Sequence, residues 1–420
     1  MVKRHLGIIV ALAVVCPAWP VRGQSPARET LTLEVARDQF LKRNLALEAA
    51  RLEIGIAEAE RVAARLRPRP GLTVSAENLK LSGETPQNRL NEFGATIAQP
   101  IELGNRQARR MELAELTVKV AEARLTDVLL KRLFELKRGY YEALVARAVL
   151  SIEEENRDNF AGLVRFNTVR FEEGYISEGE VIKVRLERIK YDSALANASL
   201  AFRQARVRLL EMLGETNFER AGTIDVERRM EVAAAKIDIA PLRQAALASN
   251  PEVKIAEAEV ARIAASLKLE QSIAKGEVTP YAGYKRVGVD NTVLAGVTVP
   301  LPFGNRNQGG IARAEAEQRV AGTNVRLARN RALADVESAY RAYETARELV
   351  QAYQTGLLKQ ADESRDITLE AYREGAVELI ALLDAQRTRS EVRTNYYRAL
   401  FEYYKSIFQL ELATGSEINL

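Results

Sequence analysis

GNRQARRMELAELTVKVAEARLTDVLLKRLFELKRGYYEALVARAVLSIEEENRDNFAGLVRFNTVRFEEG, residues 104–174, is the stretch that decides the fold. Between Gly104 and Gly174 there is no proline, and only Gly139 and Gly162 interrupt a strong helical pattern. At about 1.5 Å per residue, a continuous helix here is on the order of 100 Å long. Helices packed inside one ordinary globular domain are far shorter. Apolar Met111, Ala114, Val118, Ala121, Leu125 and Val128 alternate steps of three and four, and a one-residue shift then carries the stripe onto Leu129, Leu133, Leu136, Tyr140 and Ala143. A seam of this spacing needs neighbouring helices along its whole length.

The helix has a twin. Pro100-Ile101-Glu102-Leu103-Gly104-Asn105-Arg106 aligns with Pro300-Leu301-Pro302-Phe303-Gly304-Asn305-Arg306 at an offset of 200, while Gly174 with Gly375 and Gly214 with Gly415 lie at an offset of 201. The 420 residues are therefore two copies of one design, and form two halves of one elongated body. Charged residues, 28% of the chain, are interleaved with Ala, Leu and Val, as long amphipathic helices with wet outer faces require.

The N-terminus reads as an export signal over residues 1–23: Lys3 and Arg4, an apolar run from Leu6 to Val15, then Val21-Arg22-Gly23. The segment is too short for a membrane span. Cleavage after Gly23 removes Lys3, Arg4 and Arg22, so the formal charge of +4 falls to +1 and nucleic acid is not an expected partner. It also removes His5, Cys16 and Trp19, each the single residue of its type. Cys16 is the alternative end of the leader, as an acylated first residue, but Val15 before it is larger than such a site favours. A mature chain without His or Cys offers no imidazole base, thiolate or usual zinc site. Its many carboxylates read as solvated helix faces, and neither catalysis nor a cofactor is expected.

After a polar lead, Leu31 to Arg67 is helical in pattern with a break near Asn44, ended by Pro68 and Pro70. The period then changes to two, which predicts strands over about 71–80 and 92–100. The long helix, a turn at Gly174 and a returning helix from Glu178 to Leu213 complete a first repeat, 24–214. A linker, 215–240, leads to the second repeat, 241–415, with its break at Asn250, strands over about 278–287 and 292–300, a long helix from Gly304 to Glu374, and a return to Ala413. A tail, 416–420, follows.

Strands of about ten residues, apolar on one side and small or polar on the other, match membrane-barrel strands. Four cannot close a barrel, because the smallest have about eight and an open edge in lipid leaves backbone groups unpaired. Several copies must then share one barrel. The helical seams make the same demand, and a hollow helical cylinder below a shared barrel is a conduit. The competing reading is a soluble periplasmic coiled-coil adaptor or scaffold, which leaves the strand pairs and the leader without a joint purpose.

The order of helix, hairpin, long helix, glycine-centred turn and returning helix, given twice, resembles the TolC family of outer-membrane efflux channels. The segments 99–106 and 303–309 are similar to those of the heavy-metal, cobalt–zinc–cadmium branch. The resemblance implies a fold that is mainly α with a small β part: long antiparallel helices forming a periplasmic α-barrel, and four strands per chain in a trimeric 12-stranded transmembrane β-barrel. It implies a homotrimer in the lipid of a Gram-negative outer membrane, most of the chain in the periplasm, serving a periplasmic membrane-fusion adaptor and an inner-membrane RND-type pump. A multidrug or type I protein-secretion duct of the same fold is the alternative substrate class.

The resemblance also places functional positions. Gly174, Tyr175, Ile176 and Ser177, with Gly375, Ala376, Val377 and Glu378, correspond to the tips that meet the adaptor. Glu180 and Asp384 match acidic positions lining the closed periplasmic entrance, whereas Ala381 stands where another acid is expected. An acidic ring repeated around a trimer axis attracts cations and repels anions.

Overall fold

The computed structural model describes residues 29–227, 230, 237–301 and 303–418. The expected leader with Cys16, part of the linker and the last two tail residues lie outside them.

The first repeat runs β1 (Glu29–Leu31), α1 (Leu33–Arg43), α2 (Leu45–Ala64), β2 (Gly71–Glu77), the short α3 (Gln87–Leu90), β3 (Glu92–Ala98), β4 (Ile101–Glu102), α4 (Arg106–Glu172), α5 (Glu178–Met212) and β5 (Ile224–Val226). The second runs α6 (Ile239–Ser249), α7 (Pro251–Ile273), β6 (Glu277–Val287), β7 (Asp290–Thr298), α8 (Gln308–Ala352), a π-turn (Tyr353–Leu357), α9 (Leu358–Arg373) and α10 (Leu379–Thr414). The expected long helix is present as the 67 unbroken residues of α4.

Two asparagines set the joints. Asn44 Oδ1 accepts from the backbone N–H groups of Ala46 and Leu47 at 3.1 Å, starting α2, while its Nδ2 donates to the Met212 carbonyl at 2.9 Å. Asn250 does the same in the second repeat: it caps Glu252 and Val253 and donates to the Ala413 carbonyl at 2.9 Å. Each amide thus joins the first turn of one helix to the last turn of another. Such a site satisfies orphan groups at both ends at once.

Each repeat owns a hydrophobic cluster, one around Phe40, Leu136, Tyr140 and Leu209, the other around Val253, Val336, Tyr343 and Ile407. Tyr140 and Tyr343 are equivalent: the first donates to the Leu31 carbonyl, the second accepts from the Ile237 N–H. Tyr141 joins the two clusters, with ring centroids 4.4 Å from Tyr404 and 5.2 Å from Phe408. Lys137 and Glu411, 2.6 Å apart, lock α4 to α10 beside this aromatic contact.

The hairpins form one antiparallel sheet in the order β2-β3-β6-β7, with β4 on the foot of β6. Register places Leu72, Val74, Ala76, Phe93, Ala95, Ile97, Pro280, Ala282, Tyr284, Val293, Ala295 and Val297 on one face. The other carries Thr73, Ser75, Thr96, Lys285, Thr292 and Thr298, with Tyr281 and Leu294 among them. The apolar face is bare: Leu72, Val74 and Val293 are 68%, 74% and 89% exposed.

Four details depart from the sequence reading. The first hairpin's strands have seven residues each, shorter than the expected 71–80 and 92–100; β2 stops where Asn78 turns to a φ of 54°. The strands β1 and β5, paired in parallel, lie in the polar lead and the linker; at three residues each they carry no legible period. The second long helix starts at Gln308, after a left-handed Asn307, instead of at Gly304. It is also broken by the π-turn around Thr355 and Gly356, weak helix formers, where Tyr353 and Gln354 both engage Tyr396.

Replacing Asn250, 6% exposed, by Ala strips two caps and a carbonyl donor, and thermal unfolding in detergent should show a loss of about 2–3 kcal/mol. Asn250→Asp keeps the caps but loses the donor, so it should fall between the two; a wild-type unfolding curve for Asn250→Ala would contradict the joint.

Candidate functional site: the hairpin tips and the charge cluster behind them

Both long helices end in the same turn. Past α4, Gly174 has a φ of 81°, its N–H donates to the Phe171 carbonyl at 2.9 Å, and the Tyr175 N–H donates to the Arg170 carbonyl at 2.7 Å. Past α9, Gly375 has a φ of 78°, with Gly375 on Tyr372 at 3.1 Å and Ala376 on Ala371 at 2.8 Å. This six-to-one, five-to-two pattern satisfies the last carbonyls and demands a left-handed residue. No atom lies within 4 Å of where a Cβ would project at either glycine, so backbone conformation alone selects glycine.

The outgoing helices differ. Ser177 and Glu180 form a reciprocal capping box at the start of α5: the Glu180 N–H donates to Ser177 Oγ at 3.3 Å and the Ser177 N–H donates to Glu180 Oε2 at 3.0 Å. Glu378 starts α10 without a side-chain cap, and Ala381 occupies the place equivalent to Glu180. Tyr175 is 72% exposed, Ala376 and Glu378 are exposed, and Ile176 and Val377 are half-buried. Asp384 is exposed and pairs with Arg387 at 2.5 Å. Glu180 and Asp384 share no hydrogen bond or ion pair among the described residues, since each sits on its own hairpin.

Behind the tips, contacts that the sequence did not reveal tie the hairpins together. The buried Tyr372 hydroxyl of α9 donates to Asn167 Oδ1 of α4 at 2.5 Å, and Asn167 Nδ2 donates to the Leu163 carbonyl. Further along, Arg389 is 3% exposed and holds Asp362 through Nε and Glu155 through its second amine, both at 2.6 Å. Arg393 binds the same two acids at 2.9 and 3.0 Å. This closed square spans α4, α9 and α10. Beside it Gln386 donates to Asn156 at 2.9 Å. Burial pushes the Glu155 and Asp362 carboxyls up, but hydrogen bonds and charge from the two arginines outweigh it and hold both below their ordinary values.

Only the spacing of Arg389 and Arg393, one helical turn apart, hinted at this square. Among the described residues no group of three or more His, Cys, Asp and Glu is placed to hold a metal ion, and no helix is long and apolar enough to cross a membrane.

Paired helical hairpins closed by glycine turns, carried on a sheet with one bare apolar face, define a channel-type subunit. The chain belongs to the outer membrane efflux protein family, which matches residues 36–215 and 242–416. It is 26% identical over 95% of its length, and 92% of the relative's, to the cobalt-zinc-cadmium resistance protein CzcC of Cupriavidus metallidurans. It is 29% identical to the nickel and cobalt resistance protein CnrC of the same organism, over 69% of this chain and 68% of that one. Among solved structures CusC superposes with a TM-score of 0.76 at 18% identity, covering 97% of this chain and 99% of the other. The outer membrane protein VceC of Vibrio cholerae gives 0.74 at 15% identity, over 92% and 97%. The resemblance read from the repeat order and the two-repeat, mainly helical fold both stand.

Two outcomes test the site. Gly174→Val or Gly375→Val should cost about 1–2 kcal/mol of local backbone strain and abolish export while assembly is retained; normal export would contradict the tip assignment. Because the folded-state values of Glu155 and Asp362 are depressed, the square's contribution is complete at neutral pH, erodes below their ordinary values of 4.5 and 3.8, and is lost as pH falls through the folded values. Arg389→Ala should therefore destabilise at pH 7, by about 1–2 kcal/mol after allowance for the partly exposed acids, and much less at pH 3 in urea titrations. An equal effect at both pH values would contradict the square.

Proposed function

We propose that the chain is one protomer of a homotrimeric outer-membrane exit duct, passing heavy-metal cations delivered by an inner-membrane RND-type pump through a periplasmic adaptor. The carrying observation is the sheet, apolar across one face, mainly small and polar across the other and unclosed at β2 and β7. In lipid the apolar face is solvated by hydrocarbon and the polar face lines water. Four strands per chain need further copies to close, and three give twelve. The cation assignment rests on the resistance proteins to which the chain is similar.

Within this reading the exposed turns at Gly174 and Gly375 receive the adaptor, and Asp384 and Glu180 supply negative charge at the periplasmic entrance. Glu180 is held in place by its capping box, so its charge is positioned by α5. No bond is made or broken. The chain offers a gated path and the pump supplies the energy.

Deleting the gene should raise sensitivity to cobalt, zinc and cadmium salts while tolerance of dyes and antibiotics is unchanged. The reverse pattern would favour a multidrug duct. In planar bilayers Asp384→Ala should alter single-channel conductance and weaken block by divalent cations, and unchanged values would remove Asp384 from the entrance.

A further inference from the structure

The first hairpin is entered through a stretch that neither the sheet nor the tips account for. Between Glu60 and Glu77 the chain carries Arg61, Arg65, Arg67 and Arg69 and no acid. Arg61 pairs with Glu58 at 3.5 Å. The other three are exposed, and among the described residues their guanidinium groups make no hydrogen bond, ion pair or ring contact.

Their backbone, by contrast, is pinned. Gln107 and Arg110, in the first turns of α4, donate to the Arg65 and Leu66 carbonyls at 2.5 and 3.0 Å, and Gln99, just past β3, donates to the Pro68 carbonyl at 3.0 Å. Pro68 and Pro70 fix φ at two positions and restrict Arg67 and Arg69, which precede them. Three cations are thus carried on a stiff strap with their heads free.

The strap leads into β2 at Gly71, and the apolar face of the sheet starts one residue later, at Leu72. Leu66, between the first two arginines, is 62% exposed. The helices α2 and α4 meet the sheet at this end, which the outer-membrane reading makes the periplasmic end. The arginines therefore stand where hydrocarbon gives way to water, the level of lipid phosphate groups. The fold does not demand them: the second repeat passes from α7 to β6 through Ala274-Lys275-Gly276, with one lysine between Glu270 and Glu277. Guanidinium groups present a planar fork of donors that fits two phosphate oxygens at once.

We propose that Arg65, Arg67 and Arg69 form a clamp for phospholipid phosphate groups in the periplasmic leaflet, with Leu66 and Leu72 against the acyl chains. The clamp rests on the outer-membrane reading and adds a lipid partner to it. Because Gln107 and Arg110 fix the strap to α4, a bound headgroup sets the height of the long helix relative to the membrane surface.

The test is a titration of the full chain, purified in detergent, with phosphatidylglycerol that carries a fluorophore on one acyl chain. Unlabelled phosphatidylglycerol, diacylglycerol of the same chains and millimolar sodium phosphate are the competitors, and native mass is measured on each sample. Unlabelled phosphatidylglycerol alone should displace the probe. Combining Arg65→Gln, Arg67→Gln and Arg69→Gln should weaken probe binding about tenfold, and Arg67→Gln alone about threefold, while Lys275→Gln changes nothing. The single variant reads out the clamp even where the triple variant fails to fold. Wild-type affinity in Arg67→Gln and in the triple variant, or equal displacement by diacylglycerol, would overturn the clamp. Equal displacement by sodium phosphate would overturn the lipid assignment in favour of a free anion. A trimer with unchanged lipid affinity sinks the clamp alone, whereas a water-soluble single chain sinks the proposed function with it.

Discussion

Backbone hydrogen bonding is the constraint from which the rest follows. The sheet β2-β3-β6-β7 pairs internally, but its two outer strands each present a row of N–H and C=O groups, beside an apolar face that water does not suit. In hydrocarbon each unsatisfied group costs several kcal/mol, so an open sheet is not a stable end point. A single chain is thus a section of a wall. The long helices continue that wall, which is why α4 carries an apolar seam yet leaves much of its neighbours' surface uncovered.

The repeat supplies rigidity where the wall must be stiff and difference where it must act. Asn44 and Asn250 make the same joint, and Tyr140 and Tyr343 fill the same place in two cores that meet through Tyr141, Tyr404 and Phe408. Towards the tips the copies diverge. Among the described residues only α5 has a capping box and only the α8–α9 strut has a π-turn, and the charge square draws on α4, α9 and α10. The half of the molecule with the weaker cap supplies Asp362, Arg389 and Arg393 to the pH-dependent square, and α4 of the other half supplies Glu155. The two hairpins are therefore held differently behind their tips.

Much of this fold was legible in the residues. A proline-free run of helical period announces α4, a switch to period two announces β2, β3, β6 and β7, and glycines in matching places announce the turns. These signals are local, and burial of one face or one stripe makes them periodic. What was hidden depends on pairing across the chain. The strands β1 and β5 are too short to show a period, and Arg389 reads as a surface charge until Glu155 and Asp362 converge on it from two other helices. Asp384 is the converse: its neighbour Arg387 pairs with it on the surface as sequence spacing allows, while Arg389 turns inward. The start of α8 was misplaced because the Gly-Asn-Arg triplet recurs, but two further residues precede the left-handed Asn307 that opens the helix.

The claim that one chain is an incomplete wall is tested most directly by the native mass of the detergent-extracted protein. Three chains in a particle that stays insoluble in water without detergent is the predicted result. A water-soluble particle with the mass of a single chain would contradict the account.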